Sequence, residues 1–152
     1  MTAALLLELD GTLGDTRALW ADWLADASRV LGIEPATLPD DRAAAAAALD
    51  EGGAGNWRVL LERYAADRAP VYLRPDAGVS AALRGLAASG MRLGVFTDAP
   101  EELAGVAVAQ LGATRRVEAV ECGAGALERL RERFGADAEV VTTRAGLVER
   151  AH

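Results

Sequence analysis

Two carboxylates and a hydroxyl stand within five residues of one another in the run AALLLELDGTLGDT at 3–16: Glu8, Asp10 and Thr12. Glu8 and Asp10 are two apart, so on a continuing strand both side chains point to the same side. Gly11 and Thr12 follow, with backbone N–H groups beside the carboxylates. Converging acids next to such donors suit a metal ion held by Glu8 and Asp10 and a phosphoryl group beside it. A second, weaker pair, Thr97 and Asp98, closes the apolar run RLGVFT at 92–97.

These residues need elements to hold them. Leu5, Leu6 and Leu7 form a continuous apolar run, which suits a central strand buried on both faces, as parallel sheets require. Carboxylates at its C-terminal end sit where open α/β sheets place their ligands. Helical spacing follows over 16–31, with Asp15 or Thr16 as cap and Gly32 as stop. A turn at 38–41 opens an alanine-rich helix over 42–49, which 51–55 breaks. Asn56 caps a third helix over 57–67, with Val59, Leu60, Leu61 and Tyr64 inward. Trp20, Trp23 and Trp57 read as the core of a small helical cap, with substrate stacking as the alternative role.

The remainder alternates: helix 77–89, strand 92–97, a helix from Pro100 to Leu111, strand 117–121, helix 124–134 and strand 139–142. That alternation predicts an α/β fold with a Rossmann-like, doubly wound parallel sheet. The expected core is 1–15 with 71–152, and the cap insertion 16–70.

The stretch LELDGTLGDT resembles the first motif of the haloacid dehalogenase (HAD) superfamily, whose phosphatase members usually read DxDGT after a hydrophobic strand. The resemblance places the family's nucleophilic aspartate at position 8, where this chain has Glu8, and its general acid/base at Asp10. Strand 92–97 resembles the second motif, so Thr97 becomes a phosphoryl contact, with Asp98 where the phosphatase branch often has asparagine. The resemblance further implies a helical cap that closes over the site, and magnesium as cofactor.

Two of the family's motifs are missing. The third supplies a lysine; its place is Glu121-Cys-Gly-Ala-Gly125, and all 16 basic residues of the chain are arginines. Arg115, Arg116 and Arg129 are the sequence neighbours that could supply charge, although a planar guanidinium is no like-for-like replacement. The fourth motif is a pair of acids after the last strand, replaced here by Thr142-Thr143-Arg144, which sets an arginine near the metal shell. A displacement of ~1 Å can cost an in-line attack ~10²-fold. Magnesium asks for near-octahedral oxygens at ~2.0–2.1 Å, a poor match to an extended Glu8 without the final acids.

Composition sets outer limits. A chain of 152 residues with net charge −7 suits one domain or a core with a small insertion, and argues against non-specific nucleic-acid binding. No apolar run approaches the ~20 residues of a membrane span, and no basic stretch precedes the first apolar run, so a cytoplasmic protein is expected. The single cysteine, Cys122, excludes an internal disulfide and reads as a small buried or turn residue. His152, the last residue, reads as a frayed tail.

The leading expectation is a HAD-like scaffold with little or no phosphatase activity. It keeps a weak anion site at Gly11, Thr12, Thr97 and Asp98, or acts through a protein partner. The alternative is an active magnesium-dependent phosphomonoesterase on a small phosphorylated metabolite, with Glu8, Asp10 and Asp98 on the metal and an arginine in the lysine's place. A third reading is a pure interaction module, monomeric or homodimeric, using the cap or a sheet edge.

Overall fold

Three consecutive leucines set the centre of the sheet. The computed structural model describes residues 3–152, so the first two residues of the expected core segment 1–15 lie outside it. β1 (Ala4–Glu8) runs parallel to β2 (Arg92–Thr97) on one side and to β4 (Glu139–Val141) on the other, and β3 (Ala119–Cys122) pairs with β2. The spatial order is β3-β2-β1-β4, all parallel. Leu5 and Leu7 pack with Leu93, Val95 and Val141 on one face, and Leu6 packs with Leu130 and Phe96 on the other. A strand apolar on both faces has to be central, because each side must be covered by a helical layer.

The first face is covered by α4 (Ala77–Ala88), α5 (Glu101–Gln110) and α7 (Arg144–Arg150), through Val79, Leu83, Ala104, Val108 and Leu147. The second is covered by α6 (Ala126–Phe134), whose Leu130 and Phe134 lie over Gly94 of β2. A β-carbon on Gly94 would stand 2.9 Å from Phe134 and 3.2 Å from Leu130, so this glycine is what lets α6 sit close. The result is the expected doubly wound α/β sheet.

Between β1 and α4 the chain builds a helical layer from α1 (Arg17–Leu31), α2 (Arg42–Glu51) and α3 (Trp57–Tyr72), with a short 3-10 turn at Pro35–Thr37. Its interior is Leu19, Trp20, Trp23, Leu49, Trp57 and Leu61, closed from the sheet side by Ala99 and Leu103. Trp23 packs against Trp20 at 5.3 Å and Trp57 at 6.0 Å between ring centroids, the tilted geometry aromatic pairs favour. The tryptophan stripe is therefore core, although Trp20 also reaches the cavity described below.

Several boundaries differ from the sequence reading. α3 runs past 67 to Tyr72 with Pro70 inside it, because Ala69 and then Leu73 dock into the sheet core and hold the last turn. Val59, expected inward, is 46% exposed. Asn56 precedes α3 without a side-chain cap; Trp57 is fixed instead by its indole N–H donating to Asp50 at 2.9 Å. β3 begins at Ala119 and α6 at Ala126, each two residues later than expected. α7, which the sequence reading did not delimit, starts from Thr143, whose hydroxyl accepts the Gly146 N–H at 3.0 Å. Among the described residues no helix is long and apolar enough to cross a membrane.

Candidate functional site

The C-terminal ends of β1 and β2 lie side by side, with Glu8 registered against Phe96. After Glu8 the chain makes a tight turn in which Asp10 stays extended and Gly11 takes φ 102°. Gly11 is required twice: L side chains avoid that φ, and a β-carbon would stand 2.6 Å from the Thr142 carbonyl oxygen. The turn delivers Asp10 to the buried end of the sheet, where it is 8% exposed.

A cavity of about 580 Å³ opens there, lined by Glu8, Asp10, Arg17, Trp20, Asp40, Arg42, Phe96, Thr97, Asp98, Gly123, Ala126 and Leu127. Four of the six expected site residues, Glu8, Asp10, Thr97 and Asp98, thus meet in one place. Gly11 and Thr12 do not. The Gly11 N–H donates to the Gly14 carbonyl at 2.8 Å, and the fully buried Thr12 hydroxyl donates to the Glu8 carbonyl. The Gly11 N–H and the Thr12 hydroxyl are thus spent on shaping the turn. The Thr97 hydroxyl accepts the Ala99 N–H at 3.2 Å, and the residue is 4% exposed.

Asp10 has no oxygen left idle. Its Oδ1 accepts the Thr16 N–H at 2.6 Å and the Thr16 hydroxyl at 2.8 Å, and its Oδ2 accepts from the Arg42 guanidinium. Arg42 is the residue the sequence reading missed. It opens α2, is 3% exposed, and reaches from the helical layer into the strand ends. Its Nη2 donates to Asp98 Oδ1 at 2.7 Å as well as to Asp10, its Nε donates to Asp98 Oδ1 at 3.1 Å, and its Nη1 donates to the Thr16 hydroxyl at 2.6 Å. Its backbone N–H donates to Asp98 Oδ2 at 2.9 Å. The only sequence signal was indirect: a long charged side chain at the head of a helix otherwise made of alanine.

The arginines considered in the lysine's place are elsewhere. Arg129 closes the loop after β3, donating to Glu121 at 2.5 Å, to the Ala124 carbonyl at 2.5 Å and to the Cys122 carbonyl at 2.6 Å. Arg115 and Arg116 are exposed and precede β3, at the end of the sheet opposite the cavity. Arg144 pairs with Asp76 at 3.4 Å and does not line the cavity, correcting its expected place near the metal shell. Burial, with neighbouring Glu101 and Glu121, pushes the Cys122 thiol up to about 11, so it is no nucleophile at neutral pH.

The charge field explains the titration of the acids. Burial, then the charges of Asp10 and Asp98, hold the Glu8 carboxyl above its ordinary value. Burial also pushes Asp98 up, but the hydrogen bonds from Arg42 outweigh it, and the net shift is downward. Arg42 loses by burial and gains more from Asp98 and Asp10, so its charge is secure.

The magnesium that the sequence resemblance implies does not fit these residues. Of the expected ligands, Asp10 is already paired with the Arg42 guanidinium, which also lies against Asp98; Thr142 and Thr143 replace the completing acids, and this fixed cation opposes a divalent one. Among the described residues no group of three or more histidine, cysteine, aspartate or glutamate side chains is arranged to hold a metal.

No family model matches the chain, and no curated protein matches it by sequence. Solved structures do match. CbbY from Rhodobacter sphaeroides, solved with phosphate, superposes at a TM-score of 0.65 with 16% identity, over 99% of this chain and 83% of that one. A β-phosphoglucomutase from Clostridium difficile gives 0.59 at 12% identity, over 99% and 82%. A haloacid dehalogenase-like hydrolase from Streptococcus pneumoniae gives 0.59 at 14%, over 93% and 74%. The fold is that of the haloacid dehalogenase-like hydrolases.

Proposed function

We propose that this chain is a HAD-fold scaffold whose phosphatase chemistry is disabled, and that it acts by binding a ligand or partner at the strand ends. The observation that carries the reading is the saturation of Asp10. A general acid/base must exchange a proton with a reacting group within hydrogen-bond reach. Both oxygens of Asp10 already accept from Thr16 and Arg42. The nucleophile position holds Glu8, one methylene longer than aspartate, and no lysine reaches the cavity.

Charge supports the same reading. Glu8, Asp10, Asp40 and Asp98 face the cavity against Arg17 and Arg42. Both arginines are already engaged: Arg17 chelates Asp15 at 2.9 and 2.6 Å, and Arg42 is bound as above. A phosphomonoester dianion entering without a metal meets net repulsion.

Hydrolysis of p-nitrophenyl phosphate with excess magnesium tests the reading. The expected result is no turnover above background. Turnover at ~1 s⁻¹ or faster, the ordinary enzyme range, that is lost in Glu8→Ala would establish the active phosphomonoesterase instead.

A further inference from the structure

Arg42 does more than neutralise a buried acid. It joins carboxylates from two different strand ends, Asp10 after β1 and Asp98 after β2, and so takes the position that two such acids offer a divalent cation. It also sits at the end of α2 that lies over the strand ends. α2 buries only Ala45, Ala46 and Leu49 besides Arg42, a slender apolar face. Its C-terminal end is tied by Asp50, which accepts from Trp57 at 2.9 Å and Arg58 at 3.0 Å; the anchorage of its N-terminal end at the strand ends is Arg42, through the guanidinium and through the backbone N–H bonded to Asp98 at 2.9 Å.

We propose that Arg42 is a tethered cation that takes the metal's place and latches α2 over the strand ends, so that the chain itself balances and closes the site. The inference rests on the disabled-site reading above and gives it a mechanism. Arg42 and a divalent cation compete for Asp10 and Asp98. A metal enters only when the guanidinium leaves, and α2 moves with it because backbone and side chain share Asp98. With the arginine charge removed, Asp10 and Asp98 are left facing each other without a cation, two acidic oxygen donors that Mn²⁺ can bridge with water completing its shell.

The experiment uses the full chain as wild type, Arg42→Met and Asp98→Asn. Mn²⁺ binding is measured by calorimetry, and amide hydrogen exchange is followed over 42–51. Wild type is expected to show no saturable Mn²⁺ uptake in the millimolar range and slow exchange in α2. Arg42→Met is expected to bind Mn²⁺ at least about tenfold more tightly and to exchange at least about tenfold faster over α2. Wild type binding Mn²⁺ as tightly as Arg42→Met, an Arg42→Met protein without Mn²⁺ uptake, or unchanged α2 exchange each overturns the proposal. Where Arg42→Met does not fold, Asp98→Asn decides: it keeps the contacts to Asp10 and Thr16 but weakens the α2 anchor. Faster exchange confined to 42–51 supports the latch, and unchanged exchange overturns it. A wild type that hydrolyses p-nitrophenyl phosphate yet excludes Mn²⁺ overturns the disabled-site reading and leaves the latch standing. An inert wild type that binds Mn²⁺ overturns the latch alone.

Discussion

Arg42 and Asp10 form a buried pair whose side chains are 4% and 9% exposed. Desolvating such a pair is expensive, and breaking it by removing one partner costs ~3–5 kcal/mol, because the other charge stays buried and uncompensated. Arg42→Ala should lose about that much in urea unfolding. Asp10→Asn with Arg42→Met should recover much of the loss, since an uncharged pair of similar volume needs no compensation. The acids also set a pH signature. The folded state holds Glu8 above its ordinary 4.5, so it binds more protons there than the unfolded chain, and Glu8's contribution falls as pH rises from 4.5 through its folded value. Asp98 lies below its ordinary 3.8, so its contribution is present above 3.8 and is lost as pH falls through its folded value. Glu8→Gln should therefore raise the urea midpoint above pH 4.5 relative to wild type and leave the acid limb below 3.8 in place. Urea titrations across pH 3 to 7 check both limbs.

At the scale of elements, packing decides where each piece can sit. β2 presents Gly94 to α6, and any β-carbon there meets the ring of Phe134 and the Leu130 side chain. Gly94→Val should cost ~1–3 kcal/mol by forcing α6 outward. It should do so without altering the cavity charges at the far end of β2, which a matched pH profile would show. The turn after β1 is fixed as tightly, since Gly11 faces the Thr142 carbonyl. The segment that in the resemblance carries the final acids thus lies beside the first motif, but it offers a backbone oxygen and a helix-capping Thr143 there.

Across the whole molecule the helical layer and the sheet share two elements. α3 contributes Leu61 and Ala65 to the helical core and Ala69 to the sheet core. α5 likewise contributes Leu103 to one and Ala104 and Ala107 to the other. Rigid helices that belong to both cores couple them, so the two layers should unfold together. All three tryptophans lie in the helical layer, so fluorescence reports that layer while far-UV circular dichroism reports both. The expected outcome is coincident urea transitions by the two probes. An earlier fluorescence transition would show that the layers part first.

The sheet was legible in the sequence because its signals are local. Leu5-Leu6-Leu7, RLGVFT and the helices between them carry their own periodicity, and strand 92–97 was placed to the residue. The convergence of Glu8, Asp10, Thr97 and Asp98 was legible for a related reason: parallel strands that end together bring their last residues together. The missing lysine and final acids could also be read directly. What only the tertiary structure decided is how the site's charge is balanced. Arg42 and Asp98 are 56 positions apart in sequence, and no periodicity or spacing rule links them. The Gly11 N–H and the Thr12 hydroxyl looked free in sequence because a turn's own hydrogen bonds exist only once it is folded. Local pattern determined where the carboxylates stand; long-range burial decided that an arginine, brought in by an alanine-rich helix, is what they hold.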